Sequence, residues 1–434
     1  MKNSVRRLAS AAVLAALAVP TTSFATNGYF SDAYSTKNGG LAGAGVALPE
    51  DAMASATNPA GMVWVGQTGD IGGAIFSPHR EYTVSGVAGT PDPNTGYFPL
   101  VLGTVKSDSN YFFIPHFGMN WMIDNNSSAG VAVYGNGGMN TDYPTSTYGG
   151  TFYGTGAGVD LSQLFVNGTY SRKINASSSW GVSLIGIYQR FKATGLQAFD
   201  QPGYSAYPGS VTDNGYDTST GFTYKLGWQG EVAKGLTLGA SYQGKASMSK
   251  FDKYKGLYAE GGNFDIPSTW TVGLAYDTAP SSKLVFDVQR INYSEVPSIA
   301  NSISNFNPQN APTNTLGGSS GPGFGWQDIT VYKLGYQWAT SPAWTWRVGY
   351  SHCDQPIPNK EVLFNILAPG VVQDEITFGF TNKLDKTSEW SYRMMYAASN
   401  TVTGPNAFTQ APAAQTIAIK MYEFQLEATY SWKF

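Results

Sequence analysis

The chain has a single cysteine, Cys353, among 434 residues, so no disulfide can form within it. Its three histidines, His79, His116 and His352, are scattered without the spacing of a metal site. His352 does adjoin Cys353, but neighbours on a strand point to opposite faces, which makes them a poor ligand pair. No histidine has a nucleophile and a carboxylate at recognisable spacing, so nothing points to a catalytic group, and neither cofactor nor metal is expected. Charged residues are only 13% of the chain, against about 25% in an average soluble domain. Disorder also lowers hydrophobic burial, yet disordered chains lack aromatics and this one is 14% aromatic. Basic residues do not predominate (26 against 29 acidic), which argues against a nucleic-acid partner. After the first two dozen residues no window stays apolar for half the roughly 20 residues that a membrane-crossing helix needs.

What is abundant is glycine and aromatic residues: 51 Gly, 27 Tyr, 23 Phe and 11 Trp. The first residues read as an export signal. Lys2, Arg6 and Arg7 precede an apolar stretch from Leu8 to Val19, Pro20 breaks it, and Ser23-Phe24-Ala25 offers small residues for cleavage. Cleavage is expected after Ala25, giving a signal peptide over 1–25 and a mature chain from Thr26. Low charge, many aromatics and neutral hydropathy then suit a β-barrel that turns alternate side chains to lipid and to water.

The last strand states this most clearly. Tyr422, Phe424, Leu426, Ala428, Tyr430, Trp432 and Phe434 alternate with Glu423, Gln425, Glu427, Thr429, Ser431 and Lys433. The same period of two recurs around residues 236–243, 331–338, 344–351 and 376–381. Weaker segments lie near 67–79, 109–123, 128–139, 159–174, 178–193, 221–232, 266–278, 282–294 and 388–399. About fourteen strands result, an even number as bacterial single-chain barrels have. Short turns such as Asp124–Ser127 and Asp385–Thr387 alternate with long Gly/Pro/Asn/Ser-rich stretches such as 80–108 and 295–325. That matches short periplasmic turns and long outer loops. The fold expected is all-β: a 14-stranded antiparallel transmembrane β-barrel over 66–434.

Residues 26–65 do not alternate. They are rich in Gly and Ala, too poor in charge for a solvated linker, and suit a compact N-terminal plug inside the lumen. Pro59 should end any helix before Asn58.

The run through Glu50-Asp51-Ala52 to Asn58-Pro59-Ala60-Gly61 resembles the plug, or hatch, of the FadL-like outer-membrane transporters (OmpP1/FadL/TodX). Further matches follow in order: Phe264-Asp265-Ile266-Pro267-Ser268-Thr269-Trp270, Trp326-Gln327-Asp328, Trp344-Thr345-Trp346-Arg347-Val348-Gly349, Asp354-Gln355-Pro356-Ile357-Pro358 and terminal Phe434. The resemblance covers essentially the whole mature chain. It implies an outer-membrane channel, not an enzyme, for passive uptake of long-chain fatty acids or hydrocarbons. Ligand would leave sideways through a gap at a kink in the third strand, with Asn58, Pro59 and Ala60 beside it. Here that strand reads Val131 to Gly138, and Gly135, Gly137 and Gly138 would form the gap, since glycines weaken pairing and permit a bulge. Stretches where fatty-acid members carry basic residues hold none here. Arg190 and Lys192 are the nearest substitutes, equally readable as lumen-wall charges, and Phe199, Phe264 and Trp326 are candidate apolar contacts.

The expected partners are therefore a hydrophobic small molecule, outer-membrane lipid and lipopolysaccharide, and the barrel-assembly machinery through Phe434, with the chain a monomer. A hydrophilic porin would lack a plug, an energy-driven receptor would have a far larger one, and an adhesin role for the loops could coexist with transport.

Overall fold

The computed structural model describes residues 27–92, 97–148, 156–410 and 412–434. The expected signal peptide, its cleavage site after Ala25 and Thr26 lie outside the described residues. Fourteen strands form one closed wall. The first seven are β1 (Thr68–Gly86), β2 (Phe112–Asp124), β3 (Ser127–Tyr143), β4 (Ala157–Lys173), β5 (Ser178–Thr194), β6 (Asp217–Ala233) and β7 (Leu236–Gln243). The rest are β8 (Thr269–Ala279), β9 (Ser282–Ile291), β10 (Ile329–Ser341), β11 (Trp344–Cys353), β12 (Asp374–Lys383), β13 (Ser388–Pro405) and β14 (Gln415–Lys433). Each pairs antiparallel with its neighbour in sequence, and β14 closes on β1 from Thr68↔Lys433 to Gly86↔Gln415. Two short strands lie off this circuit: Gly103–Lys106 on the outer end of β1, and Ser247–Met248 on β6.

The alternation in sequence becomes two faces of the wall. On β5, Trp180, Leu184 and Tyr188 are exposed while Ser179, Ser183 and Gln189 are buried. Apolar outside and polar inside reverses a soluble protein and fits a wall bathed in lipid. Aromatic girdles mark both rims of that band. Near the short turns Trp344 stacks on Trp346 at 5.6 Å and Trp390 meets Tyr430 at 5.3 Å. Towards the long loops His79 stacks on Tyr422 at 4.6 Å and Tyr396 meets Phe424 at 4.9 Å. The short turns are tightened by Asn175 and Asp385, whose side-chain oxygens accept N–H bonds two and three residues on.

Several strands outrun their alternating segments. The first was expected over 67–79 and reaches Gly86; the last starts at Gln415, seven residues before Tyr422. Beyond the membrane the outward face meets water, so polar residues such as Thr83 and Thr416 occupy it and the period-two contrast fades.

The segment 27–66 is folded inside this wall. It is almost wholly buried and carries only short helices, among them Thr36–Gly39, Ala54–Thr57 and Met62–Val65. Asn58 caps the turn Pro59–Gly61 through its side chain, and the preceding helix stops there because the residue before proline is driven out of the α region.

Candidate functional site

Polar ties from the lower wall hold the N-terminal segment. Arg393 on β13, its side chain 1% exposed, pairs with Asp32 of the segment and with Glu427 at 3.2 Å and Glu375 at 3.5 Å. Lys37 meets Glu389 at 2.5 Å, and Arg347 meets Glu50 at 3.1 Å. Asp287 on β9 accepts the backbone N–H groups of Gly45 and Val46 at 2.7 and 2.9 Å. Burial opposes ionisation of Glu50, but Arg347 and Lys37 hold its carboxyl below the usual range. Beneath the segment, towards the short turns, a polar cavity of about 890 Å³ is lined by Lys37, Glu50, Arg347, Lys386 and Glu389 among others.

The upper half has the opposite character. Under the long loops lies a cavity lined by Tyr148, Leu196, Phe199, Tyr258, Phe324 and Phe364 among others, with no charged side chain in its lining among the described residues. Its open space is about 40 Å³. An apolar cavity that holds benzene measures about 150 Å³, so an occupant must push these loop side chains apart. From it a train of rings runs inward: Tyr258 to Phe264 at 4.7 Å, Phe264 to Tyr29 at 6.0 Å, Tyr29 to Trp326 at 6.0 Å and Trp326 to Tyr293 at 5.1 Å. Burial pushes the phenols of Tyr29, Tyr148, Tyr258 and Tyr293 well above their ordinary range, which leaves them uncharged. The Tyr258 hydroxyl is buried without a hydrogen-bond partner among the described residues.

Next to this train the wall is interrupted. β3 pairs with β2 only from Asp124↔Ser127 to Phe117↔Val133, whereas β2 continues along β1 to Phe112. Above Val133 the only strand ladder of β3 among the described residues is with β4, and its register slips between Gly135 and Gly137, with Asn136 left over as a bulge. Pro115 on the open edge of β2 has no N–H, and prolines within sheets belong at such edges. The bare edge of β3 is covered from inside by the chain's own start. Ser31 N donates to Asn136 O at 2.8 Å, Gly138 N donates to Tyr29 O at 2.9 Å, and Phe30 bridges to Gly137. A Cβ at Gly137 would strike the Tyr29 carbonyl, so this approach needs glycine. Across the break, Arg80 of β1 donates to Asn140 O at 2.6 Å, to Ser107 Oγ at 3.2 Å and to Ser109 O. A second small cavity lies here, lined by Phe76, Arg80, Met139, Trp326, Gly370 and Met421 among others.

Gly135, Gly137 and Gly138 thus stand at the interruption. Phe199 lines the upper cavity, Phe264 belongs to the ring train, and Trp326 links that train to the second cavity. Two expectations are corrected. Asn58, Pro59 and Ala60 are not beside the break: Asn58 Nδ2 donates to Trp228 O of β6 at 3.0 Å, and Ala60 O accepts from Ser171 of β4 and Ser179 of β5. They lie low because the chain must enter β1 at Thr68, at the short-turn end, and the intervening helical turns rise only about 1.5 Å per residue. Arg190 and Lys192 do not face the lumen. They share the outer face of β5 with Tyr188, while Gln189 and Phe191 point inward, and both cations lie over the Tyr216 ring. The sequence reading also missed Tyr29, Tyr293 and Arg80. Tyr29-Phe30, two adjacent large rings in a segment of small residues, was the available signal; nothing local marked the other two.

The family model for outer membrane protein transport proteins (OMPP1/FadL/TodX) matches residues 17–430. Among solved structures, the toluene transporter TodX of Pseudomonas putida aligns with 93% of this chain and 99% of its own at 15% identity and a TM-score of 0.65. A FadL homologue of Pseudomonas aeruginosa aligns over 94% and 100%, at 15% identity and 0.67. The toluene transporter TbuX of Ralstonia pickettii aligns over 93% and 99%, at 15% identity and 0.61. No curated protein sequence matches. At these identities the structures speak for the shared barrel, while the family match spans nearly every residue of the chain. The chain belongs to the OMPP1/FadL/TodX family of outer membrane transport proteins.

Proposed function

We propose that the protein takes up small hydrophobic molecules passively: they are caught beneath the outer loops and released sideways into the membrane through the break between β2 and β3. The observation that carries this reading is the early end of the β2–β3 ladder at Phe117↔Val133, joined to the aromatic chamber by the rings of Tyr258, Phe264 and Tyr29. A straight route downward is chemically hostile. It meets the buried ion pairs of Arg393, Asp32, Glu427, Lys37 and Glu389, which would have to part, and then a charged vestibule, where an apolar solute gains nothing. A sideways exit keeps apolar surface out of water, worth roughly 25 cal/mol per Å². In this reading segment 27–66 is the plug, and its first residues, Tyr29 to Ser31, cover the exit from within.

The uncharged lining favours a neutral hydrocarbon over a fatty acid as occupant of the chamber. The relatives' descriptions as toluene transporters and a monoaromatic hydrocarbon channel point the same way. Mass spectrometry of molecules co-purified with the full-length protein, followed by competition between toluene, an alkane and a long-chain fatty acid, tests this. Selective retention of a neutral hydrocarbon is expected. Open ion conductance with no apolar binding would overturn it in favour of a hydrophilic pore.

A further inference from the structure

On the outer surface, the first residues above the aromatic girdle carry charge. Tyr422 and Trp432, the girdle residues of β14, are about ten residues apart, which is one hydrocarbon thickness of tilted strand. Lys420 is the next outward residue above Tyr422, and Arg190 the next above Tyr188. Both therefore stand at the headgroup level of the outer leaflet.

Each belongs to a cluster of two cations and one carboxylate. Lys420 reaches Glu81 at 3.2 Å, and Lys106, its side chain 77% exposed, reaches the same carboxylate at 3.9 Å. On the other side Arg190 lies 4.1 Å over the Tyr216 ring and 3.9 Å from Asp160, with Lys192 5.2 Å from that ring. Tyr216 OH occupies Asp160 further, at 2.6 Å. The two clusters flank the break: Arg80, beside Glu81, bonds Asn140, and Asn140 is in register with Asp160 and Lys192. Elsewhere on the wall Arg290 is matched one to one with Asp328, at 3.2 Å. Above the break itself stand the exposed carboxylates Asp108 and Asp142.

We propose that these two clusters, Lys106–Lys420 and Arg190–Lys192, bind the phosphates of the outer leaflet's phosphorylated glycolipid, one molecule on each side of the break. A surplus cation at headgroup depth, on a wall whose next residues down are lipid-facing rings, selects an amphiphile carrying a phosphate above acyl chains. The paired arrangement holds glycolipid on the flanks, while Asp108 and Asp142 repel phosphate from the opening.

The test is native mass spectrometry of the full-length barrel in detergent with bisphosphorylated lipid A, lipid A stripped of both phosphates, or inorganic phosphate. The variants are Lys106→Gln with Lys420→Gln, Arg190→Gln with Lys192→Gln, and Arg290→Gln as control, each checked for a folded barrel by heat-dependent gel mobility. Wild type is expected to retain up to two bisphosphorylated molecules. Each double variant should lose one of them, with retention weakened about tenfold or more, because each basic group at an anionic surface contributes roughly fivefold. Arg290→Gln should retain both. Equal retention by the double variants, or of the dephosphorylated lipid by wild type, would overturn the proposal. So would displacement of the lipid by inorganic phosphate at similar concentration, which would mark simple anion binding. Transport is not the readout, so the result stands apart from that of the uptake route.

Discussion

The guanidinium of Arg80 on β1 donates to the backbone carbonyl of Asn140 on β3 at 2.6 Å, joining two parts of the wall between which no strand ladder runs. Arg80 is 4% exposed and forms no ion pair among the described residues; its other partners, Ser107, Ser109 and Asn110, belong to the β1–β2 connection. Its guanidinium also lies 5.7 Å from the Phe112 ring centroid. One side chain therefore ties both lips of the break.

Arg80→Met keeps an apolar stem and removes the tie. Hydrogen bonds to a charged group contribute about 1.5–3 kcal/mol, so amide exchange over Tyr134–Tyr143 should quicken by about tenfold or more. Exchange in the central strands β9 to β12 should stay as it was. Unchanged exchange over Tyr134–Tyr143 would show that Arg80 does not hold the break.

Phe199→Arg puts an unpaired charge into the uncharged chamber. Burying such a charge costs several kcal/mol, so binding of an apolar fluorescent probe should fall by about a hundredfold while the barrel still folds. Tyr258→Phe removes only a hydroxyl that has no partner among the described residues. It should leave toluene binding within about twofold, since no hydrogen bond is lost. Titration of the probe with toluene separates the two outcomes.

Glu50 gives the plug a pH dependence of definite sign. Its carboxyl is held below its ordinary value, chiefly by Arg347 against the effect of burial, so its stabilisation is present above the unfolded value of about 4.3 and is lost as pH falls through the lowered folded value. Burial raises the neighbouring Asp51, which works in the opposite direction. Amide exchange of residues 35–53 followed from pH 7 to pH 3 should therefore show loosening below about pH 4. Glu50→Gln should be loosened already at pH 7, by up to about 3 kcal/mol as Arg347 loses its carboxylate partner and keeps only Gln337 and Thr381, and should lose the acid step.

Because Arg190 and Lys192 face outward, neutralising both should change uptake of a fatty acid and of an alkane to the same degree. A selective loss of the fatty acid would mean that these cations reach its carboxylate.

The barrel was legible because lipid on one side and water on the other impose a strict period of two, as in Tyr422 to Phe434. At Thr83 or Thr416 the outer face meets water while the inner neighbours Tyr82, Val84, Ile417 and Ile419 are buried and apolar, so the contrast changes phase and the strand ends were lost with it. The facing of β5 was not legible from period alone: Ile185, Ile187 and Phe191 are as apolar as Leu184 and Tyr188, so parity does not tell lumen from lipid. The glycines of β3 marked a weak ladder. What covers its edge depends on contacts over a hundred residues apart, such as Phe30 with Gly137, and these leave no local pattern.

The most direct test of the sideways route is to shut it. Beyond Phe117↔Val133 a continued ladder would bring Pro115 opposite Gly135. Cysteines at these two positions, in a Cys353→Ser background, can be oxidised or joined by a short bifunctional thiol reagent, and toluene uptake measured before and after cleavage of the link. Loss of uptake when joined, with recovery on cleavage and an intact barrel throughout, is the expected result. Uptake that continues with the lips joined would contradict the sideways route.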